Sequence, residues 1–403
     1  MNELELYVHI PFCMKKCNYC DFLSAPADEK SQSAYMEGLK REIAFYGKKY
    51  EGARLCTVYI GGGTPSWLQE AYIAGMMEEI YRSFTVNQDA EITIECNPGT
   101  LTKGKLCCYQ KLGINRLSIG LQSADDDELQ LLGRAHTFAQ FLRNYELARE
   151  CGFSNINIDL MDSLPGHTAQ KFYKTLMQVT RLAPEHISCY TLTIEKGTPF
   201  YDRYKFDVVK LHAGMQTEEL PMEDTSYQIG KMTQDVLAEH GYLQYEISNY
   251  AQKGYACKHN IGYWKRKEYL GVGLGAASLI NEVRYSNMRG LPEYIETSSH
   301  IKTTGIWDEK RKKQAEGTNL HASADILTRD AQMEEFLFLG LRMTEGIEKS
   351  RFYQAFGFTV DFVYGDVIEK LIWEGLIVET TTRLYLTEKG MDLNNYVAAQ
   401  FLM

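Results

Sequence analysis

The sequence predicts an α/β protein: a partial parallel (β/α)6-type barrel, then a mixed β region, then a small winged-helix-like α+β appendage. Three observations carry this. Short apolar, β-rich runs alternate with longer runs of helical spacing over residues 1–240, the signature of successive βαβ units. The chemically unusual residues gather just after those β-rich runs, where folds of this class place their functional groups. The alternation then gives way to short aromatic-rich strands over 241–328, and helical spacing returns over 329–403.

The strands of the first unit are expected over 4–10, 56–60, 90–96, 116–121, 156–161 and 186–194. Helices are expected over 31–46, 72–84, 103–112, 125–132, 138–151, 169–182 and 224–240. Segments 242–250, 269–272, 276–281 and 282–285 read as further strands, and 302–320 reads as a polar, irregular loop. From 330, Met333, Phe336, Leu337 and Leu341 share a helical face. Helices near 351–356 and 361–374 and a hairpin over 376–386 complete the winged-helix order. A DNA-reading helix would be basic, yet the second of these carries Asp361, Asp366 and Glu369 against Lys370, which reads as a packing unit.

With 403 residues there is room for two or three domains at about 150 residues each. A chain that is 44% hydrophobic and 24% charged is neither disordered nor fibrous. No apolar run reaches the roughly 18 residues of a bilayer span. The acidic start lacks the basic and apolar stretches of a signal peptide, so a cytoplasmic location is expected. Net charge is −10, which leaves nucleic-acid binding to a local patch. Lys265-Arg266-Lys267 and Lys310-Arg311-Lys312-Lys313 are short and flanked by acids, and read as solvated faces.

Ten cysteines in such a chain are not a disulfide framework. Cys56, Cys96, Cys151 and Cys189 fall in apolar segments and read as small buried hydrophobes. Cys13, Cys17 and Cys20 are different: C-x3-C-x2-C in a loop suits an iron–sulfur cluster or another soft metal. A zinc site completed by His9 is the competing reading. Three thiolates on a [4Fe–4S] cluster leave one iron open.

The spacing, with Tyr19 before the last cysteine, resembles the radical S-adenosylmethionine superfamily. The segments Tyr7 to Cys13, Gly61 to Pro65, Gly120 to Ser123, Leu131 to His136 and Asn157 to Leu160 are similar to its coproporphyrinogen-dehydrogenase-like branch. The resemblance implies that Cys13, Cys17 and Cys20 ligate a [4Fe–4S] cluster. It implies that Gly62, Gly63 and Thr64 hold the methionine end of S-adenosylmethionine, where glycines let backbone approach a ligand. It places Glu95, Gln122, Arg134 and Asp159 on the cofactor pocket, with Tyr7 and Tyr19 as neighbouring aromatics.

Two members of the branch compete: the oxygen-independent coproporphyrinogen III oxidase, which decarboxylates two propionates, and the HemW-type haem chaperones. The oxidase pattern carries a fourth cysteine where this chain has Phe22. It also carries a long arm before the first barrel strand, and here Tyr7 stands almost at the start. His259-Asn260-Ile261-Gly262-Tyr263-Trp264 matches the H-N-x-x-Y-W motif of the chaperones, in which the histidine is the haem ligand. A neutral imidazole suits haem iron. Tyr263 and Trp264 suit a porphyrin face, and Lys258, Lys265 or Arg266 suit its propionates. Cys257 is the alternative ligand, and a histidine hydrogen-bonded among aromatic strands is the structural alternative. The resemblance favours the chaperones, with haem as cargo and haem-acceptor proteins, membrane-bound ones included, as partners. No nucleic-acid partner is expected, and a homodimer is compatible with this reading.

Overall fold

A computed structural model describes residues 3–402. Six leading strands lie side by side in chain order and pair in parallel. They are β1 (Glu3–Ile10), β2 (Arg54–Gly62), β3 (Thr85–Cys96), β4 (Arg116–Gln122), β5 (Ile156–Asp162) and β6 (His186–Thr191). The crossovers are α1 (Glu29–Lys49), α2 (Glu70–Ser83), α3 (Lys103–Lys111), the pair α4 (Asp126–Leu131) and α5 (Phe138–Glu150), and α6 (Ala169–Thr180). Side-chain acceptors satisfy the free amides at several helix starts. Asp28 accepts from Ser31, Thr102 from Lys105 and Thr168 from Lys171, while Thr137 and Gln140 form a reciprocal capping box. Along β1 the period of two sends Leu4, Leu6, Val8 and Ile10, all fully buried, to one face and Glu5, Tyr7 and His9 to the other.

This is the expected partial barrel: the six strands do not close, and both edges are extended instead. Beyond β6 come α7 (Pro199–His212), which the sequence reading lacks, and α8 (Glu223–Glu239). Then β7 (Leu243–Glu246) and β8 (Asn249–Ala251) add antiparallel strands at the β6 edge. The single strand expected over 242–250 is broken by a turn in which Glu246 accepts the Ser248 amide at 2.9 Å. Helix α9 (Lys258–Trp264) carries the histidine motif. At the other edge β9 (Tyr269–Val272) pairs in parallel with β1, and β10 (Ala277–Ile280) and β11 (Val283–Asn287) follow antiparallel, with α10 (Leu291–Thr297) after them.

The irregular loop expected over 302–320 is corrected. It is a hairpin of β12 (Thr303–Asp308) and β13 (Lys313–Thr318), followed by β14 (His321–Ile326), which ends the twelve-stranded sheet beside β11. Polar residues on the exposed face masked its alternation. Its turn is held by the Asp308 carboxylate, which accepts from the amides of Lys310, Arg311 and Ile326 at 2.9, 3.0 and 2.6 Å.

The buried Glu42 of α1 ties this added region to the barrel. It accepts from the Gly273 amide at 2.9 Å, from Asn287 at 2.7 Å and from the Tyr294 hydroxyl. Burial pushes its carboxyl up to about 7 despite those donors. A carboxyl raised above its unfolded value contributes stability that is complete below about pH 4.5. That contribution is lost as pH rises through about 7, at about 1.4 kcal/mol per pH unit of displacement. Glu42→Gln cannot titrate. In denaturant titrations from about pH 5 to 8 the wild type should lose about 2–3 kcal/mol more than this variant. Parallel pH profiles would count against the assignment.

The last unit has its own core, with Leu337, Phe352, Leu371, Leu384 and Phe401 fully buried. Its order is α11 (Arg329–Gly340), β15 (Ile347–Glu348), α12 (Lys349–Phe356), α13 (Val360–Trp373), then the β16 (Ile377–Glu379) and β17 (Arg383–Leu386) hairpin. That is the winged-helix order, to which α14 (Glu388–Asp392) and α15 (Asn394–Gln400) are added. Among the described residues no helix is long and apolar enough to cross a membrane.

Candidate functional site

The C-terminal ends of the parallel strands open onto one cavity of about 430 Å³. The loop after β1 brings Cys13, Cys17, Tyr19 and Cys20 to its wall, and the end of β2 brings Gly62, Gly63 and Thr64. Glu95 from β3, Gln122 from β4, Arg134 from the turn after α4 and Asp159 from β5 complete the predicted set. Two predicted residues lie elsewhere. Tyr7 stacks behind the cavity on Tyr59, with ring centroids 6.3 Å apart, and His259 is separated from it by the same ring.

Local bonding explains why these groups converge. The cysteine loop is stitched to β2: Gly63 donates its amide to the Ile10 carbonyl at 2.8 Å and Thr64 to that of Phe12 at 2.7 Å. Thr64 Oγ1 donates to Cys13 Sγ at 3.4 Å and receives Asn97 Nδ2 at 2.9 Å. Arg134 bridges the two sides, donating to Asn97 Oδ1 at 2.7 Å and to Cys17 Sγ at 3.7 Å. Gln122 sits at a bulge in β4 with left-handed backbone, φ +75°, which turns its side chain to the cavity.

Two half-buried carboxyls form the floor. Glu95 accepts from Tyr59 and from the Gly62 amide, both at 2.9 Å. Burial, then the neighbouring Asp159 charge, pushes it up to about 7. Asp159 accepts from Ser118 at 3.0 Å and Asn157 at 2.8 Å, and burial raises it too. The cavity therefore opposes acceptors on its floor to the Arg134 guanidinium and the cysteine thiols on its wall.

Three thiol donors on one loop of the cavity wall suit an iron–sulfur cluster by their chemistry. Cys13, Cys17 and Cys20 are free thiols spread along the cavity wall. Among the described residues no three Cys, His, Asp or Glu side chains converge on a point suited to one ion. The zinc reading also loses its fourth ligand. His9 Nδ1 is bonded to the Tyr7 hydroxyl at 3.0 Å and Nε2 to the Leu23 carbonyl at 2.9 Å.

His259 is 1% exposed, in α9 rather than among strands. Nδ1 is bonded to Thr57 Oγ1 at 2.7 Å, Nε2 to the Tyr263 hydroxyl at 2.9 Å, and the ring stacks on Tyr59. Burial, reinforced by the Arg116 charge, pushes it down to about 3, so it is a neutral imidazole. In this conformation neither nitrogen is open to a ligand. Glu91 holds the start of α9, accepting from the amides of Lys258 and His259 at 3.1 and 3.2 Å. The same carboxylate takes the Cys257 thiol, which burial pushes up to about 12 and away from a ligand's thiolate form. The cations proposed for propionates are engaged. Lys258 bonds the Asp89 carbonyl, Lys265 pairs with Glu345, and Arg266 pairs with Glu282 and Glu335.

Sequence reading missed Tyr59, Ser118 and Asn97 in the cavity, and Thr57, Glu91 and Arg116 around His259. A period-two signal exists for some of them: Ser118, Gly120 and Gln122 alternate along β4 onto the same cavity. Glu91 shares this alternation with Glu95 along β3, and Thr57 with Tyr59 along β2, but only the fold brings α9 to them.

Residues 7–179 match the radical SAM superfamily, and residues 327–393 match the HemN C-terminal domain. The chain is 35% identical to heme chaperone HemW of Bacillus subtilis over 402 residues, covering 98% of each. It is 32% identical to heme chaperone HemW of Escherichia coli, over 99% of this chain and 98% of that one. Among solved structures it resembles coproporphyrinogen III oxidase, HemN, of Escherichia coli. The TM-score is 0.81 and the identity 24%, over 100% of this chain and 90% of the other, a likeness of fold. With full-length identity above 30% to several heme chaperones HemW, this chain belongs to the HemW family of the radical SAM superfamily.

Proposed function

We propose that this protein is a haem chaperone that carries a [4Fe–4S] cluster and S-adenosylmethionine, binds haem and passes it to acceptor proteins. The observation that carries the reading is the full-length likeness to HemW chaperones together with a cavity that gathers three free cysteines, the Gly62–Gly63 backbone and two half-buried carboxyls. When bound, a cluster on Cys13, Cys17 and Cys20 supplies one-electron reducing power and an open iron site for the cofactor's methionine end. Gly63 and Thr64 spend their amides on the cysteine loop, so they offer a ligand their carbonyls and a close backbone approach. Arg134 serves a carboxylate, while Glu95 and Asp159 accept from amine or hydroxyl donors.

Haem ligation falls to His259 after Tyr263 gives up Nε2. An aromatic cleft of about 300 Å³ stands on that side, lined by Tyr7, Tyr263, Trp264 and Tyr269 and by Leu339 of the C-terminal unit. The test is an anaerobic haem titration of reconstituted protein followed through the Soret band. The wild type should saturate with one haem per chain. His259→Ala should weaken binding by about tenfold or more, and Tyr263→Phe, which removes the competing hydroxyl, should tighten it severalfold. Equal binding in all three proteins would remove His259 as the ligand. Conversion of coproporphyrinogen III to protoporphyrinogen under the same conditions would instead favour the oxidase.

A further inference from the structure

Glu5 is a buried acid outside the cofactor cavity. It is 1% exposed, and among the described residues neither carboxyl oxygen has a hydrogen-bond partner. A buried carboxyl with no donor costs several kcal/mol, so its place calls for a role that outweighs that cost. Its neighbours point to that role. On the inner face of the sheet Glu5 stands in register with Thr57 of β2 and Tyr269 of β9. Its carboxyl lies directly under α9, against the Cα of Gly262. A Cβ there would stand 1.9 to 2.2 Å from the carboxyl atoms, so the glycine of the H-N-x-x-Y-W motif leaves the room that Glu5 fills. Glu5 Oε2 is 3.9 Å from His259 Nδ1, on the side of the ring opposite Tyr263.

We propose, on the reading that His259 ligates haem iron, that Glu5 is its positioning residue: it takes the Nδ1–H when Tyr263 yields Nε2 to a porphyrin in the aromatic cleft. The carboxyl needs to close only about 1 Å to reach hydrogen-bond distance. Metal-bound histidines donate their other ring N–H to a carboxylate or carbonyl, which fixes the tautomer and raises the basicity of the ligating nitrogen. Here Thr57 holds Nδ1 in the haem-free conformation and Glu5 stands ready beside it. No covalent change is involved. The ring keeps one proton, carried on Nδ1, and the iron takes the Nε2 lone pair.

The test reads the iron–histidine bond rather than delivery of haem. Haem-loaded wild type, Glu5→Gln, Glu5→Leu and His259→Ala are compared by resonance Raman of the ferrous form and by haem midpoint potential. Loss of the carboxylate should lower the iron–histidine stretching frequency and raise the potential in Glu5→Leu, with Glu5→Gln in between. Glu5→Gln is nearly isosteric and keeps the variant set informative if Glu5→Leu folds poorly. Loss of the histidine signature in His259→Ala with unchanged frequency and potential in both Glu5 variants overturns the positioning role alone. An unchanged spectrum in His259→Ala overturns the ligand reading and the role of Glu5 with it.

Discussion

Replacing Cys17 by alanine is expected to abolish the cluster. Anaerobically reconstituted wild type should hold about four irons and four sulfides per chain, with broad visible absorption; the variant should hold fewer than about one of each. The reason is geometric. The three thiols are spread along one loop at the cavity wall, and a cluster that loses one of three cysteine ligands is left with two. Arg134, which donates to the Cys17 sulfur, would face an empty site. The fold should survive, because the loop lies outside the main core and Cys17 is only partly buried. Cys56→Ala is the control: that thiol sits on β2, donates to the Leu4 carbonyl at 3.5 Å and should leave iron content unchanged. Full iron and sulfide in Cys17→Ala would sink the ligand assignment.

Gly63→Ala is expected to damage both the cluster loop and the cofactor pocket. A Cβ at this position would stand 2.7 Å from the Phe12 carbonyl oxygen, 2.9 Å from that of Ile10 and 3.0 Å from Cys13 Sγ. The first two obstacles are backbone, so nothing can swing aside and the whole β1–β2 seam must part. Overpacking of this kind costs about 1–3 kcal/mol. The displaced groups are those that hold Cys13, so cluster content should fall by half or more and S-adenosylmethionine affinity by about tenfold or more. Gly75→Ala makes the contrast. That glycine lies within α2, and an added Cβ meets only the flexible Lys40 side chain at 3.9 Å. It should stabilise the helix by up to about 1 kcal/mol and leave cofactor binding alone. Equal behaviour of the two variants would refute the argument from close approach.

Much of the site is legible in the sequence because its signals are local. The cysteine loop, the triple glycine and the strand-end residues Glu95 and Gln122 each follow a β-rich run, and parallel βαβ units bring the ends of such runs to one edge. The hairpin of β12 and β13 and helix α7 are not legible. The first has one solvated face with mixed polarity, and the second buries only Phe200, Tyr204 and Asp207, too few apolar positions to show a helical period. Tyr7 shows the limit of motif reasoning. It lies on the inner face as its strand parity requires, yet Tyr59 on the adjacent strand occupies the place beside the cavity.

The sequence by itself determined the parallel partial barrel, the winged-helix order of the last unit and the family, since these depend on periodicity and on contiguous motifs. Only the tertiary structure decided the state of His259. Its two nitrogens are taken by Thr57, more than two hundred residues away in the chain, and by Tyr263 one turn along the same helix. Its charge is suppressed by burial and by Arg116 of β4. Proton affinity and access are set by every group that surrounds a side chain in space, and a motif states only the neighbours along the chain.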